Sequence, residues 1–411
     1  MKNDTPIILQ YNTNSSIQNL GGIAVYPNEF NKTLLELDLG NELWPNIRSG
    51  SLLYGEFTSK IFDTSWRILL GGLRRITDSP FPLLGSIGYF CIQKYLTMRF
   101  SNHKASRKNI IYHHMNNFVL PELALIRIAK KFNVFLVTTI VDLQEVDYPE
   151  FLPQSTHIFR RHLKNFLKLS THYFIPITNF IKRDAINSGL FSNQSNCAVI
   201  EWGTDHIGVS RSVRESKSAI INTLQDPIIS KPFFLFPAKA WAHKGHLEFL
   251  KAYGENSAAN FNVVFIGDLE PLREEIGALV LMMGAKGIAN IKIIGFVDDD
   301  TREQLMRDCR AVILPSCYEG FGFPYFEATF LKKALVCFRT KSYVEFFGEF
   351  ENSVTVSNQD FAAFIEALIN FNEHLASEET ERKLARIQEL TWKSCLNKTL
   401  DVYTAVLQKI S

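Results

Sequence analysis

Two glutamates bracket the segment Glu319-Gly-Phe-Gly-Phe-Pro-Tyr-Phe-Glu327, which follows the apolar run RAVILPS and leads into YFEATFLKK. Paired carboxylates in such a place accept hydrogen bonds from hydroxyls: one can grip those of a sugar, the other a ribose diol. Gly320 and Gly322 let the backbone approach a ligand closely, and Pro324 suits the first helical position, where its missing N–H costs nothing. Free amides at the helix start favour an anion, so Gly320, Phe321 and Gly322 join both glutamates as binding candidates. A second cluster, Lys239-Ala-Trp-Ala-His-Lys244-Gly245, directly follows PFFLFPA. Two ammonium groups at the carboxyl end of a strand can neutralise a diphosphate as it departs. Glu319, Lys244 and Lys239 are therefore the candidate catalytic groups. His243 and His246 flank Lys244, but no further His or carboxylate stands at ligand spacing, and no metal is expected.

Three further groups are weaker signals. Gly21-Gly22, just past the first apolar run, can bring backbone amides to a phosphate, although surface turns use such pairs freely. Asp298-Asp299-Asp300 resembles a metal-binding acidic run, yet it more simply caps the helix TREQLMRDC, where acids complement the dipole. His113 and His114 end the run NIIYHH, and Asp142 ends LVTTIVD; these three are the acceptor-side candidates.

Elements must hold these residues in place, and the sequence supplies them as two series. Runs at PIILQY, SLLYGEF, NIIYHH, NVFLVTTIVD, THYFIPIT and NCAVIEW form the first series. PFFLFPAK, NVVFIGD, IKIIGFV, RAVILPS, ALVCF and SVTVS form the second. Continuous apolar runs of this length are what parallel strands covered on both faces require. Alternation with helical patterns such as HLEFLKAY and REQLMRDC gives repeated βα units, and two series predict two doubly wound domains. The polar segment HIGVSRSVRESKSAIINTLQD reads as the linker. The domains expected are 1–206 and 207–393.

Composition narrows the class. A chain of 411 residues with 46% hydrophobic and 21% charged residues is globular and too long for one ordinary core. A formal net charge of only +2 argues against a dedicated nucleic-acid binder. Residues 60–108 stand apart as basic and aromatic, a pattern found both in helices lying on anionic membranes and in ordinary amphipathic helices. No leader and no spanning segment is read, and the six cysteines contain no CxxC pair, which fits a reduced cytoplasmic protein.

In order along most of the chain, these residues resemble glycosyltransferase family 4. The resemblance is carried by Gly21-Gly22, VTTIVDLQEVDYPE, VIEWGTD, Lys239/Lys244-Gly245, IIGFV and LPSCYEGFGFPYFEA. It implies an α/β GT-B fold: two Rossmann-like domains facing a central cleft, with a terminal helix, about 394–411, returning to the first. It also implies a retaining, metal-independent hexosyl transfer, mannosyl-type, with GDP-mannose favoured and a UDP- or dTDP-sugar as alternatives. No cofactor is implied, since the nucleotide-sugar is a substrate. The acceptor is a glycan, a lipid-linked glycan or a protein, and 60–108 would make any peripheral membrane contact. By the same resemblance Glu319 meets the donor sugar, Glu327 the ribose, Lys239 and Lys244 the diphosphate, and Gly295-Phe296-Val297 the base. One departure stands out: Val141 occupies a position where many relatives carry His. A silent nucleotide-sugar-binding partner subunit, or another GT-B enzyme such as an epimerase, would use many of the same residues.

Overall fold

A computed structural model of the protein describes residues 7–11, 25–26, 29–30, 32–34, 47–49, 110–115, 134–152, 164, 167–168, 171–192, 196–207, 227–348, 353–372, 384–385 and 387–409. Gly21, Gly22 and the segment 60–108 lie outside the described residues, as do SLLYGEF and most of the expected linker. The chain divides into two compact units: Met1–Glu201 together with Trp392–Ser411, and Trp202–Thr391.

The described strands of the first unit are β1 (Ile7–Tyr11), β2 (Ile47–Ser49), β3 (Ile110–His114), β4 (Val134–Ile140) and β5 (Thr171–Pro176). They lie in the order β2-β1-β3-β4-β5, and every pair is parallel. Leu136 to Ile140 of β4 are all buried, as a strand covered on both faces must be. The order reverses between β1 and β3, so ligands of such a sheet sit beyond the carboxyl ends of those strands. Helix α1 (Asn179–Asn187) follows β5, its first turn closed by the Thr178 hydroxyl accepting from the Ile181 amide. The run NCAVIEW forms no strand. It runs beside β5 as far as Ile200: the Phe174 amide donates to the Asn196 carbonyl, the Ala198 amide to the Phe174 carbonyl and the Ile200 amide to the Pro176 carbonyl. Pro176, with no N–H, cannot complete a second bridge.

The second unit is built in the same way. Its elements are β6 (Phe233–Pro237), α2 (His246–Glu255), β7 (Asn262–Ile266), α3 (Arg273–Met282), α4 (Ala285–Asn290) and β8 (Ile291–Gly295). Then come α5 (Asp299–Asp308), β9 (Ala311–Leu314), α6 (Phe323–Phe330), β10 (Ala334–Phe338), α7 (Lys341–Phe347), β11 (Ser353–Val356) and α8 (Phe361–Ile369). The sheet order is β11-β10-β9-β6-β7-β8, all parallel. Every residue of β6, β9 and β10 is buried, which accounts for their unbroken apolar runs. The chain steps one way from β6 to β8 and the other way from β8 to β11. Right-handed crossovers therefore place α5 and α6 on one face and α2 and α3 on the other. The switch point lies between β6 and β9.

The helix α9 (Trp392–Gln408) returns to the first unit. Trp392 stacks on Tyr26, and the Lys398 ammonium pairs with Glu201. The units divide after Glu201, a little before the boundary expected at 206, and the returning helix opens at Trp392. Packing explains the shift. Trp202 stacks on Phe323, and Thr204 is hydrogen-bonded to Ile387 and Leu390, so the chain is already anchored in the second unit there.

Candidate functional site

Lys244 and Glu319 meet across the switch point of the second sheet. Lys244 ends a single 3-10 turn, Ala242–Lys244, after β6, and Glu319 lies in the loop after β9. Lys244 Nζ donates to Glu319 Oε1 at 2.5 Å, with side-chain exposures of 14% and 8%. Both loops are fixed from below. The Cys317 amide donates to the His243 carbonyl, Asn358 Nδ2 to the Cys317 carbonyl, and the Ser342 hydroxyl to the Phe321 carbonyl. Phe321 stacks on Phe326 and packs against Phe323 and Trp202. Glu319 is thus mounted on a rigid loop, and an opposite charge within hydrogen-bonding distance offsets the cost of burying it.

Two glycines permit this close approach. Gly322, at φ +85°, caps α6, and a Cβ there would lie 2.5 Å from the Tyr325 ring. Gly245, at φ +75°, turns the chain from Lys244 into α2, where a Cβ would lie 2.6 Å from the Pro315 carbonyl oxygen. Helix α6 begins at Phe323, so Pro324 is its second residue rather than its first.

The loops after β6, β7 and β8 are laced together. Lys239 Nζ pairs with Asp268 Oδ2 at 2.7 Å and lies 5.3 Å from the centre of the Trp241 ring. The Ala240 amide donates to the Asp268 carbonyl, and the Gly267 amide donates to the Gly295 carbonyl. Beyond Gly295, Phe296 is 71% exposed, which leaves its ring accessible to a ligand. Val297 is half-buried, and Asp298 Oδ1 accepts from the Thr301 amide at 2.7 Å, so this acid caps α5. Backbone hydrogen bonding at the cap holds its carboxyl below the usual range. Glu327, on α6, is paired with Arg302 of α5.

The first unit treats its candidates differently. His113 is fully buried, with Nδ1 2.6 Å from the Tyr403 hydroxyl and Nε2 2.8 Å from Thr139 Oγ1. Burial, with a smaller contribution from neighbouring His114, pushes its pKa down to about 3; burial does the same to His114. Both rings are therefore neutral, and both nitrogens of His113 are engaged inside the unit. Val141, directly after β4, is buried, and Oδ1 of the adjoining Asp142 accepts from the Gln144 amide at 3.3 Å. The structure brings Lys239, Lys244, Glu319, Glu327 and the Gly295–Val297 segment to the carboxyl edge of one sheet. His113 and His114 end β3, a strand of the other.

Asp268 and Arg302 are the charged partners that sequence reasoning missed. Asp268 ends the run NVVFIGD and was legible as a loop carboxylate. Arg302 carried its own signal: a cation in the first turns of a helix opposes the dipole and calls for an anion nearby. Among the described residues no group of three His, Cys, Asp or Glu is arranged to hold a metal ion.

Comparison with known proteins supports the same part of the chain. Residues 225–387 match the family model described as Glycosyl transferases group 1. A 114-residue stretch is 30% identical to O-antigen chain mannosyltransferase B of Escherichia coli; it makes up 28% of this chain and 30% of that protein. A glycosyltransferase from Rickettsia africae ESF-5 superposes with a TM-score of 0.63 at 18% identity, covering 98% of this chain and 99% of that one. Sucrose-phosphate synthase from Thermosynechococcus elongatus gives 0.67 at 15% identity, over 98% and 100%. Anabaena HepE in complex with UDP and glucose gives 0.63 at 15%, over 97% and 100%. The fold is GT-B. No described helix is long and apolar enough to cross a membrane.

Proposed function

We propose that the protein is a retaining glycosyltransferase of the GT-B type, moving a hexosyl group from a nucleotide diphosphate to a glycan, lipid-linked or protein acceptor. The observation that carries this reading is the Lys244–Glu319 pair at the switch point, with Lys239 beside it. In this reading Glu319 binds hydroxyls of the donor sugar, Glu327 binds the ribose, and the exposed face of Phe296 covers the base. Lys244 and Lys239 exchange their carboxylate partners for the two phosphates. The bond between the anomeric carbon and the phosphate oxygen breaks as the acceptor oxygen attacks from the same face. The acceptor proton passes to the departing phosphate, so no protein base is required, and the two ammonium groups stabilise the charge that develops there. The same charges remove the need for a divalent cation.

Resemblance to a mannosyltransferase favours GDP-mannose as donor, while HepE, solved with UDP and glucose, keeps UDP-sugars in view. A thermal-shift screen against GDP-, UDP- and dTDP-sugars, followed by product analysis over an acceptor panel with and without chelator, tests the proposal. One nucleotide should raise the midpoint by mass action, and its sugar should be transferred with retained configuration in chelator. No binding to any of the three classes would overturn it. Binding without transfer to any acceptor would favour the silent partner subunit.

A further inference from the structure

The pair between Arg302 and Glu327 joins two helices that would otherwise meet the donor independently. Helix α5 begins immediately after Gly295-Phe296-Val297, and α6 begins immediately after the Glu319 loop. Both lie on one face of the sheet because both belong to right-handed crossovers running in the same direction. Arg302 is the fourth residue of α5 and Glu327 the fifth of α6, so both side chains stand near the sheet's carboxyl edge.

Arg302 is poorly placed for an ordinary surface cation. It sits in the positive end of the helix dipole, which disfavours a guanidinium there. Three acids, Asp298 to Asp300, precede it, yet its guanidinium is directed to Glu327 on the neighbouring helix. The bond is made by Arg302 Nη2 to Glu327 Oε2, and the carboxylate is only 14% exposed. With Oε2 engaged, Oε1 is left to accept from a ligand. A guanidinium N–H is a directional charged donor on a rigid planar group, whereas an ammonium is a rotating point charge, so even this one bond restricts the carboxylate.

We propose that Arg302 is a positioning residue that orients the Glu327 carboxylate toward the ribose diol of the donor nucleotide. It also couples the helix behind the base-binding segment to the helix that carries the ribose contact. This rests on the donor-site reading above. Arg302 itself touches neither sugar nor phosphate.

The test compares binding of GDP or UDP, whichever the protein takes up, with its 2′-deoxy counterpart. The proteins are wild type, Glu327→Gln, Arg302→Gln and Arg302→Lys. Wild type should prefer the ribonucleotide by roughly tenfold, the scale of one charge-assisted hydrogen bond. In Arg302→Gln that preference should fall to about twofold or less, while affinity for the deoxynucleotide changes by less than about threefold. Arg302→Lys should fall between, retaining the charge without the planar, directional donor. A merely structural arginine would weaken both nucleotides together and leave their ratio unchanged, and that result overturns the proposal. If Arg302→Gln proves unfolded by circular dichroism, Arg302→Lys carries the test alone: a wild-type ratio in that variant also overturns it. Failure of the underlying reading is separable. A wild-type protein that binds nucleotide without discriminating against the deoxy form removes the ribose contact itself, and one that binds no nucleotide removes the donor site.

Discussion

Replacing Lys244 by Met and Glu319 by Leu, singly and together, separates what their ion pair does for the fold from what it does for chemistry. Glu319 is only 8% exposed and sits on a loop fixed by Cys317 and Phe321, so it cannot turn to water when Lys244 is removed. Lys244→Met leaves that carboxylate buried and unpaired, which should cost about 3 kcal/mol. Glu319→Leu leaves an ammonium on a flexible four-carbon stem that is already 14% exposed. It can reach solvent, and a smaller loss of roughly 1–2 kcal/mol is expected. In the double variant two apolar side chains face each other, and stability should return to within about 1 kcal/mol of wild type. For a unit of this size the Lys244→Met loss corresponds to a midpoint lowered by about 6–12 °C. Turnover should behave otherwise. All three variants should lose about a hundredfold or more, because the double variant restores packing but neither charge. Urea unfolding and donor turnover on the same preparations give both readings. Single variants as stable as wild type, or a double variant as unstable as the sum of the singles, would show that the pair is solvated and that its burial has been misjudged. Recovery of turnover in the double variant would remove both groups from the chemistry.

Two further outcomes follow from buried groups and tight turns. His113, His114 and His246 are held near pKa 3 by burial, against about 6.5 in an unfolded chain. Below pH 6.5 the unfolded chain binds protons that the folded one refuses, so stability is complete above that pH and falls as pH drops toward 3. His246 is fully buried and stacks on Phe236 at 4.2 Å. His246→Phe should move the acid-unfolding midpoint, followed by circular dichroism, to lower pH; an unchanged midpoint refutes the assignment. Gly245→Ala should destabilise the second unit by roughly 2 kcal/mol or more in urea and reduce turnover through Lys244, since the new methyl group meets a carbonyl oxygen at positive φ. Wild-type stability in that variant would refute the turn geometry.

The parallel sheet of the second unit could be read from its apolar runs because burial on both faces leaves β6, β9 and β10 no polar positions. The Asp298 cap was legible for a local reason: the acid and the amide it accepts from lie three residues apart. Lys244 and Glu319 were each visible as candidates, but their contact spans 75 residues and depends on β9 being placed beside β6. The same holds for His113, whose partner Tyr403 is 290 residues away. A histidine at the end of a strand reads as available for ligand, and only the returning helix reveals that its ring is occupied. NCAVIEW misled in the opposite sense: it runs beside β5, but Pro176 offers it no amide, so the pairing stops at one bridge and no strand is completed.

That returning helix reverses the order in which the protein can be completed during synthesis. The second unit is one continuous stretch, Trp202–Thr391, and every strand of it is available once that stretch has been made. The first unit begins earlier but must wait for residues 392–411. Until they emerge, Tyr26 lacks Trp392, His113 lacks the Tyr403 hydroxyl, and Glu201 lacks Lys398. The N-terminal half of a nascent chain ordinarily finishes first. Here the unit that begins first cannot make its last contacts until the whole of the second has been made.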